Sequence, residues 1–381
     1  MLAATTAMMA GASAPSPFYP AIQARFGFAP VVVTAVFAVY AVTLLAALLV
    51  AGSISDHVGR RPVISASFGL LALSMVLFWL ADGATSLLIS RALQGLASGL
   101  LLSTLSATIV DFEHPGRPGS SSTWNSMSAM AGLAIGPLLG GLALLSLGGN
   151  TGSAATFLSL AAIYLALAVA AWSLPETSAR RSGIWASLVP RVSMPSEARK
   201  AFFQSTPAFI AGWATGGLYL SLGTSIVALQ FHQDSPLARS LVVTSLAGCG
   251  ALAGFLMRKR TSRSITLYGT FSLAVGSATT LLALALGSLE LYYIAVMITG
   301  TGFGTAFPGS LQGVMALVSP GRRAQAMAAI FVVCYIAFSV PAVVAGLMIP
   351  AAGLLATASW YGGVIMLLAA ASAVFKLFGR H

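Results

Sequence analysis

The chain has 381 residues, of which 57% are hydrophobic and 7% are charged, and its formal net charge is +11. Soluble domains average about 25% charged residues, so a water-soluble globule of this composition would expose large apolar patches and aggregate. The composition therefore predicts an integral membrane protein in a lipid bilayer, and because the basic residues stand in short clusters between apolar runs, nucleic-acid binding is not expected.

Twelve apolar segments are each long enough to cross the bilayer as a helix, which takes about 20 residues. We number them as spans 1 to 12: 3–22, 30–54, 63–81, 85–110, 121–147, 153–173, 202–230, 239–257, 265–287, 291–318, 324–349 and 353–377. Span 1 lacks the basic start of a signal peptide and is interpreted as a membrane helix without a polar tail. An incomplete N-terminus is the alternative.

The longest connection, residues 174–201, is polar, basic and contains proline. We interpret it as a linker between an N-terminal half, 1–173, and a C-terminal half, 202–381. The halves resemble repeats, because a shift of 202 positions places "GSISDHVGRR" over "GFLMRKRTSR", so that Gly52 meets Gly254 and Arg61 meets Arg263. The predicted fold class is all-α, with twelve transmembrane helices in two pseudo-symmetric halves.

Basic residues mark the cytoplasmic ends of membrane helices. With the connection between spans 2 and 3 in the cytoplasm, Arg25 and Arg239 lie outside and Arg91 lies near or in the membrane. The other sixteen of the nineteen Lys and Arg residues are then cytoplasmic: Arg60, Arg61, Arg117, Arg180, Arg181, Arg191, Arg199, Lys200, Arg258, Lys259, Arg260, Arg263, Arg322, Arg323, Lys376 and Arg380. Both termini are expected in the cytoplasm, and the protein in the inner or plasma membrane.

Three motifs carry a family resemblance. "GSISDHVGRRPV" at 52–63 resembles the loop signature of the major facilitator superfamily, and "RALQGLASG" at 91–99 resembles its helix-4 motif. "GLAIGPLLGG" at 132–141 is similar to the helix-5 motif of its proton-coupled drug exporters. The resemblance implies the major facilitator fold and a secondary transporter that works by alternating access.

The loop motif supplies a candidate cytoplasmic latch, made of Gly52, Asp56, Gly59, Arg60, Arg61 and Asp111. Glycine lets helices approach closely and lets the chain turn with a positive φ. By resemblance, Asp56 would bind the exposed amides at the start of span 11, and Arg60 could pair with Asp111. A simple topology signal is the alternative, and it explains Arg60 and Arg61 but neither Asp56 nor the glycine spacing.

The helix-4 motif supplies Arg91, Gln94 and Gly95 as candidate cavity or coupling residues. A charge inside the bilayer costs about 2.5–3.5 kcal/mol on insertion scales, so such residues usually mark function. Arg91 could hold Gln94, attract an anionic group or tune a proton site. The alternative is that Arg91 snorkels to the outer interface.

The helix-5 motif contributes Gly132, Gly136, Pro137, Gly140 and Gly141. Glycines four residues apart align on one helix face, and we expect this face to pack against a helix of the other half. By resemblance the motif indicates an antiporter; tight packing without that meaning is the alternative.

Weaker candidates for substrate contact, each also compatible with packing, are Tyr19, Tyr40, Asn125, Trp213, Tyr219, Gln312 and Tyr335. Their mixture of aromatic and neutral polar groups would suit a largely apolar substrate. The glycine-rich stretch at 299–309 in span 10 indicates either an interrupted helix beside a binding site or close packing.

All eight acidic residues lie at span ends or in loops, so no buried carboxylate is evident as a proton carrier. Asp82 or Asp234 at a cavity mouth, an unusual coupling group or uncoupled transport are the possibilities. No catalytic cluster, metal-ligand cluster or phosphate-binding loop is present, so no enzyme activity, metal or cofactor is expected.

The motifs favour a monomeric, proton-coupled exporter of small amphipathic, drug-like compounds. An uncoupled facilitator or uptake transporter of a small organic solute is the alternative. A non-transporting membrane sensor is more distant.

Overall fold

A computed structural model describes residues 1–113, 116, 120–179 and 182–378. Of the basic residues used above for orientation, Arg117, Arg180, Arg181 and Arg380 lie outside the described residues. The helices are α1 Leu2–Ser13, α2 Tyr19–Phe26, α3 Pro30–Ala51, α4 Ile54–Val58, α5 Arg60–Trp79, α6 Ala84–Asp111, α7 Ser120–Leu147, α8 Gly149–Ala170, α9 Ile184–Ser187, α10 Ser196–Ser221, α11 Gly223–Ser225, α12 Pro236–Met257, α13 Ser262–Leu286, α14 Leu289–Met315 and α15 Arg323–Phe378. Short 3-10 turns at Ser16–Phe18, Ala171–Ser173 and Pro320–Arg322 and a π turn at Ile226–Gln230 complete the described elements.

Nine helices in the described ranges are long and apolar enough to cross a membrane, and the last of them, Pro320–Leu377, consists of two helices. They meet at Gly353, where φ is 81° and ψ is 162°, outside helical values. With this helix divided there, and with span 1 and α10 added, the described residues form the twelve predicted spans. The all-α prediction is confirmed.

Span 1 is broken, although its apolar run suggests one continuous helix. It divides into α1 and α2 around Ser16–Phe18. Pro15, Pro17 and Pro20 lie at this point, and proline has no backbone N–H to continue a helical hydrogen-bond ladder.

The chain forms two compact units, which are described separately. The first comprises Met1–Phe28 and Val39–Pro190, and the second comprises Ala29–Ala38 and Arg191–His381. The sequence boundary between them, 190/191, falls within the stretch interpreted as the linker.

In the first unit, α1 packs on α7, and α5 packs on α6 and α8. The Phe157 ring lies between two others, with centroid distances of 5.2 Å to Phe18 and 5.5 Å to Phe78. The buried Tyr164 hydroxyl donates to the Ala7 carbonyl oxygen at 3.0 Å. These contacts join spans 1, 3 and 6 in one core.

In the second unit, α14 packs on α12 and α13, and α10 packs on α15. The glycine-rich stretch of span 10 makes these contacts possible. A side chain at Gly304 would overlap the backbone of Gly250 in α12, and one at Gly309 would lie 2.7 Å from the Thr266 nitrogen of α13. Helix α14 runs without interruption through Pro308, so close packing is the role of this stretch in the structure.

Candidate functional site

Arg91 is the largest fully buried side chain among the described residues of the first unit. It lies two turns inside α6, and its guanidinium donates to the Tyr19 hydroxyl at 3.0 Å, to the Ala12 carbonyl oxygen at 3.0 Å and to Gln94 Oε1 at 2.7 Å. Gln94 Nε2 in turn donates to the Gly11 carbonyl oxygen at 2.9 Å. The Arg91 network, as we call these residues, therefore ties α6 to the end of α1.

The aromatic surroundings of Arg91 complete its burial. The guanidinium carbon lies 5.4 Å from the centroid of the Tyr40 ring and 5.2 Å from that of Phe78. An aromatic face attracts a cation, and the attraction strengthens when water is excluded. The side chain is fully buried within the unit, whereas the snorkelling alternative expects a guanidinium exposed at an interface.

Gly95 lets α6 approach α3 closely beside this network. A side chain at Gly95 would overlap Thr43 and the Tyr40 carbonyl oxygen, and one at Gly99 would lie 2.8 Å from Ala47 Cβ. Gly52 lies at the same contact between α6 and the chain of span 2, nearer the loop. A Cβ added to it would lie 3.8 Å from Ser103 Cβ. The helix-4 motif thus combines a charged interior with a tight helix contact.

The loop between α3 and α5 turns at Gly59, where φ is 115° and ψ is 152°. Residues with a side chain rarely adopt such a positive φ. A second constraint is steric, since a Cβ at Gly59 would lie 2.7 Å from Glu176 Oε2. The turn expected from the sequence is present, and it has a neighbour that the sequence did not indicate.

Arg60 makes the ion pairs at this loop. Its Nη1 lies 2.6 Å from Asp56 Oδ1, and its Nε lies 3.4 Å from Asp111 Oδ2 at the end of α6. Its Nη1 also donates to Ser55 Oγ at 2.6 Å. The expected pairing of Arg60 with Asp111 is present, while the contact of Asp56 with the start of span 11 stays a prediction.

Glu176 joins Asp56, Gly59, Arg60 and Asp111 in a group that we call the loop cluster, and the sequence did not indicate it. Its Oε1 accepts from the Arg60 backbone N–H at 2.8 Å, and its Oε2 accepts from that of Arg61 at 3.3 Å. These amides begin α5, and a carboxylate is favoured at a helix N-terminus by the exposed N–H groups and the helix dipole. The signal in the sequence was a lone acid at the start of a basic connection.

The residues next to Glu176 hold the same loop. Thr177 Oγ1 donates to Asp111 Oδ2 at 2.7 Å, and Ser178 Oγ donates to the Asp56 carbonyl oxygen at 3.0 Å. Three consecutive side chains after span 6, those of Glu176, Thr177 and Ser178, therefore hydrogen-bond the loop motif or its partner Asp111.

The glycine face of α7 packs on α1 of the same unit, which corrects our expectation of a partner in the other half. Side chains at Gly132 and Gly136 would overlap the carbonyl oxygens of Thr6 and Ala10, and one at Gly140 would lie 3.0 Å from that of Ala14. The cause is that glycines have no side chain, so the backbone of α7 can approach that of α1 closely. Pro137 lies inside α7, and Gly141 is buried.

The weak substrate-contact candidates fall into two groups in the structure. Tyr19 and Tyr219 are each 1% exposed, and the Tyr219 hydroxyl hydrogen-bonds Thr280 Oγ1 at 2.7 Å, so both serve as internal polar partners. Asn125 bridges Thr5 and Ser106 with contacts of 3.4 and 3.1 Å. The two tyrosines are explained by the interior of their units, and the half-buried Asn125 by its bridge between α1 and α6.

The remaining candidates keep accessible surface or lie beside it. The Trp213 and Tyr335 rings meet edge to face with centroids 4.7 Å apart, and Gln312 is exposed on α14. Tyr40 is half-buried over Arg91.

The acidic residues lie where the sequence places them. Each of the eight stands in a loop, in the short α4 or within two residues of the end of a longer helix: Asp56, Asp82, Asp111, Glu113, Glu176, Glu197, Asp234 and Glu290.

Comparison with known proteins extends the motif resemblance. The major facilitator superfamily matches residues 1–342. An uncharacterized MFS-type transporter of Mycobacterium tuberculosis is 31% identical over 127 residues, which are 33% of this chain and 21% of that protein. A chloramphenicol resistance protein of Pseudomonas aeruginosa is 28% identical over 291 residues, 72% of this chain and 66% of that protein. The chain thus matches less than two thirds of the length of each of these relatives.

Solved structures share the fold at low sequence identity. A peptide transporter in complex with sulfate superimposes with a TM-score of 0.78 at 15% identity, over 98% of this chain and 92% of that chain. A bacterial homolog of the human lysosomal transporter Spinster gives 0.73 at 14% identity, over 99% and 94%. The human organic anion transporter MFSD10 gives 0.69 at 16%, over 97% and 98%.

The family match covers most of the chain, and these structures reproduce its helical arrangement. Proteins of this family and fold are multi-pass membrane transporters of small molecules and not enzymes. The chain belongs to the major facilitator superfamily.

Proposed function

We propose that this protein exports small amphipathic, drug-like compounds from the cytoplasm by alternating access, driven by the proton gradient. The observation that carries the proposal is the glycine face of α7, which lies against α1 with no room for a side chain at Gly132 or Gly136. This face is the part of the chain that is similar to the proton-coupled drug exporters. The printed name of the Pseudomonas relative, a chloramphenicol resistance protein, points the same way.

The loop cluster would act as the latch of the transport cycle on the cytoplasmic side. Arg60 holds Asp56 and Asp111 together, and Glu176 fixes the start of α5, so the loop is a rigid unit. A rigid loop can present Asp56 to a second element in one state and withdraw it in another. The basic residues around it support a cytoplasmic position.

The Arg91 network would hold the interior of the first unit in one arrangement during that cycle. Arg91 is wholly buried, and a buried guanidinium must keep its donors satisfied in every state. A substrate or a proton that alters the Gln94 contact would therefore change the relative position of α1 and α6, and one that alters the Tyr19 contact would change that of α2 and α6.

One observation favours an uncoupled facilitator as the second candidate. All eight carboxylates lie at or near helix ends or in loops, whereas a proton carrier must load and release its proton within the transport pathway. Under this alternative the substrate would move down its own gradient.

Transport in proteoliposomes distinguishes the two. Purified protein is reconstituted, and uptake of labelled chloramphenicol is followed with and without an imposed pH gradient. Antiport predicts accumulation above equilibrium that requires the gradient and disappears with a protonophore. Equilibration at the same rate with and without the gradient would support the facilitator, and absence of protein-dependent flux for chloramphenicol and a panel of amphipathic drugs would contradict both.

A further inference from the structure

The second unit contains a cluster of five aromatic side chains around Trp213. The centroid of the Trp213 ring lies 4.7 to 6.4 Å from the centroids of four other rings, which all meet it close to edge-on. These rings belong to Phe307, Phe331, Tyr335 and Phe338. The cluster joins α10, α14 and α15, and four of its members keep part of their surface exposed. We call this set the aromatic cluster.

The exposed surface of this cluster lies on the side of α15 opposite the most exposed apolar residues of that helix segment. On α15, Phe331, Tyr335 and Phe338 are spaced at four and three residues and form one stripe. The strongly exposed apolar side chains of the same helix segment are Ile336, Val340, Val344 and Leu347. At about 100° per residue, the two stripes lie on nearly opposite sides of α15.

Helix α10 supports the same conclusion. Within the described stretch 211–227, every residue except Trp213 is buried. Trp213 is half-buried, and no described residue accepts a hydrogen bond from its indole nitrogen. Indole N–H groups in largely buried positions usually find an acceptor, so this donor is available to a ligand.

Beside Trp213 there is unfilled space. Gly212 is buried, yet a Cβ built on it would meet no atom within 4 Å apart from those of its chain neighbours Ala211 and Trp213 and of its own helix backbone. One turn along the same face, a Cβ at Gly216 would lie 3.1 Å from the Phe303 ring and 3.5 Å from the Phe338 ring. The space at Gly212 is therefore a notch next to packed aromatic rings.

The charge around the notch is also informative. The acidic residues of this unit, Glu197, Asp234 and Glu290, lie in loops or at helix starts. A cation buried here would lose its hydration without a carboxylate to compensate, and the attraction of aromatic ring faces offsets only part of that loss. An uncharged ring loses little hydration and gains edge-to-face contacts.

We propose that the Gly212 notch and the Trp213 indole N–H form a subsite for the ring of an uncharged aromatic compound that carries a hydrogen-bond acceptor. The aromatic cluster supplies the walls of this subsite. The proposal rests on the proposed transport of amphipathic compounds and specifies which of them bind.

Equilibrium binding in lipid nanodiscs tests the subsite with two matched fluorescent probes. Dansylamide is neutral and carries sulfonyl oxygens, whereas dansylcholine joins the same ring system to a trimethylammonium group. We expect saturable binding of dansylamide and at least about tenfold weaker binding of dansylcholine, because the cation lacks a counter-charge.

Variants locate the binding. Gly212→Val should weaken dansylamide binding by about tenfold or more by filling the notch, and Trp213→Phe should weaken it about fivefold, the value of one lost hydrogen bond. The controls are Gly363→Val, where an added Cβ also meets nothing within 4 Å, and Trp185→Phe, whose side chain is 82% exposed. Both should bind as the unaltered protein does.

Three outcomes would overturn the proposal: no saturable dansylamide binding, tighter binding of dansylcholine, or unchanged affinity in folded Gly212→Val and Trp213→Phe proteins. If Gly212→Val does not fold, Trp213→Phe keeps the test decisive. Nanodisc binding needs no gradient, so Gly212-dependent binding without gradient-driven transport would contradict only the proposed function. Transport by Gly212→Val with an unchanged KM for a neutral aromatic drug would contradict only the subsite.

Discussion

The Glu176 carboxylate accepts a hydrogen bond from the backbone N–H of Arg60 over 2.8 Å and so caps the first turn of α5. The residue before Arg60 is Gly59, whose φ of 115° directs the chain into this contact. A residue from the connection after span 6 thus completes a motif that lies between spans 2 and 3. The second unit contains a related contact, because Arg263 Nη2 donates to the carbonyl oxygens of Lys376 and Leu377 at the end of α15, at 3.2 and 3.4 Å.

Replacement of Glu176 by glutamine tests the cap. The amide keeps the shape but turns one acceptor into a donor facing an N–H, so we expect a loss of about 1–2 kcal/mol of unfolding free energy and slower transport. The measurements are thermal unfolding in detergent and initial transport rate. Glu290→Gln is the control, since that exposed carboxylate contacts the Ser288 hydroxyl. Equal melting temperatures for the two variants would contradict a capping role.

Gly59→Ala should be more costly than an alanine at another positive-φ glycine. Gly148 has φ 78° with open space around it, so Gly148→Ala measures backbone strain alone, about 1 kcal/mol. At Gly59 the Cβ also meets Glu176. In a double-mutant cycle measured by thermal unfolding, the Glu176→Ala, Gly59→Ala double variant should lose less unfolding free energy than the sum of the two single variants. Additive losses would show that the two residues do not interact.

Arg91→Lys should impair transport at least about tenfold, although the charge is kept. A lysine cannot donate simultaneously to Tyr19, Ala12 and Gln94 with the fixed geometry of a guanidinium. Tyr19→Phe should reduce stability by about 1–3 kcal/mol by leaving guanidinium donors without their acceptor. Transport kinetics and thermal unfolding are the measurements, with Arg25→Lys as the control; wild-type kinetics for Arg91→Lys would remove the network from the transport cycle.

Gly136→Val tests the contact between α7 and α1. The added side chain would overlap the Ala10 backbone and lie close to Ser13, so we expect about 1–3 kcal/mol of destabilisation and loss of transport. Gly149→Val, at an exposed position with open space, should have little effect. Comparable folded yield and activity for both variants would mean that α7 and α1 can separate without cost.

Asp56→Asn distinguishes a latch from a structural ion pair. The Asp56 side chain is 41% exposed and pairs with Arg60 four residues on, an arrangement worth about 0.3–0.5 kcal/mol. Stability should therefore be almost unchanged while transport falls at least about tenfold. Full transport activity in the inserted variant would eliminate the latch, and Glu290→Gln, at an exposed acidic residue outside the loop motif, is the control.

The spans were predictable because their signal is local. A helix in lipid must satisfy its own backbone, so an apolar run of sufficient length identifies it. Span 1 and α10 fit this rule least well, the first because prolines divide it and the second because its first turns carry Glu197, Arg199 and Lys200.

Contacts between residues far apart in the sequence were less predictable. The pairing of Arg60 with Asp111 was expected through a family resemblance, but Glu176, 116 residues from Arg60, was not. The glycine face of α7 was recognised, while its partner was assigned to the wrong half. Residue spacing defines a face of a helix and contains no information about what lies opposite.

The sequence by itself determined that this chain is a membrane protein of twelve spans, because burial in lipid acts on each segment separately. It also determined where the charges must lie, since charged groups avoid the hydrocarbon unless they are satisfied. Only the tertiary structure decided that Arg91 points inward to Tyr19 and Gln94, that Glu176 caps α5 and that Gly212 borders an open notch. Those features depend on distances between segments far apart in the chain, which packing sets and local composition does not.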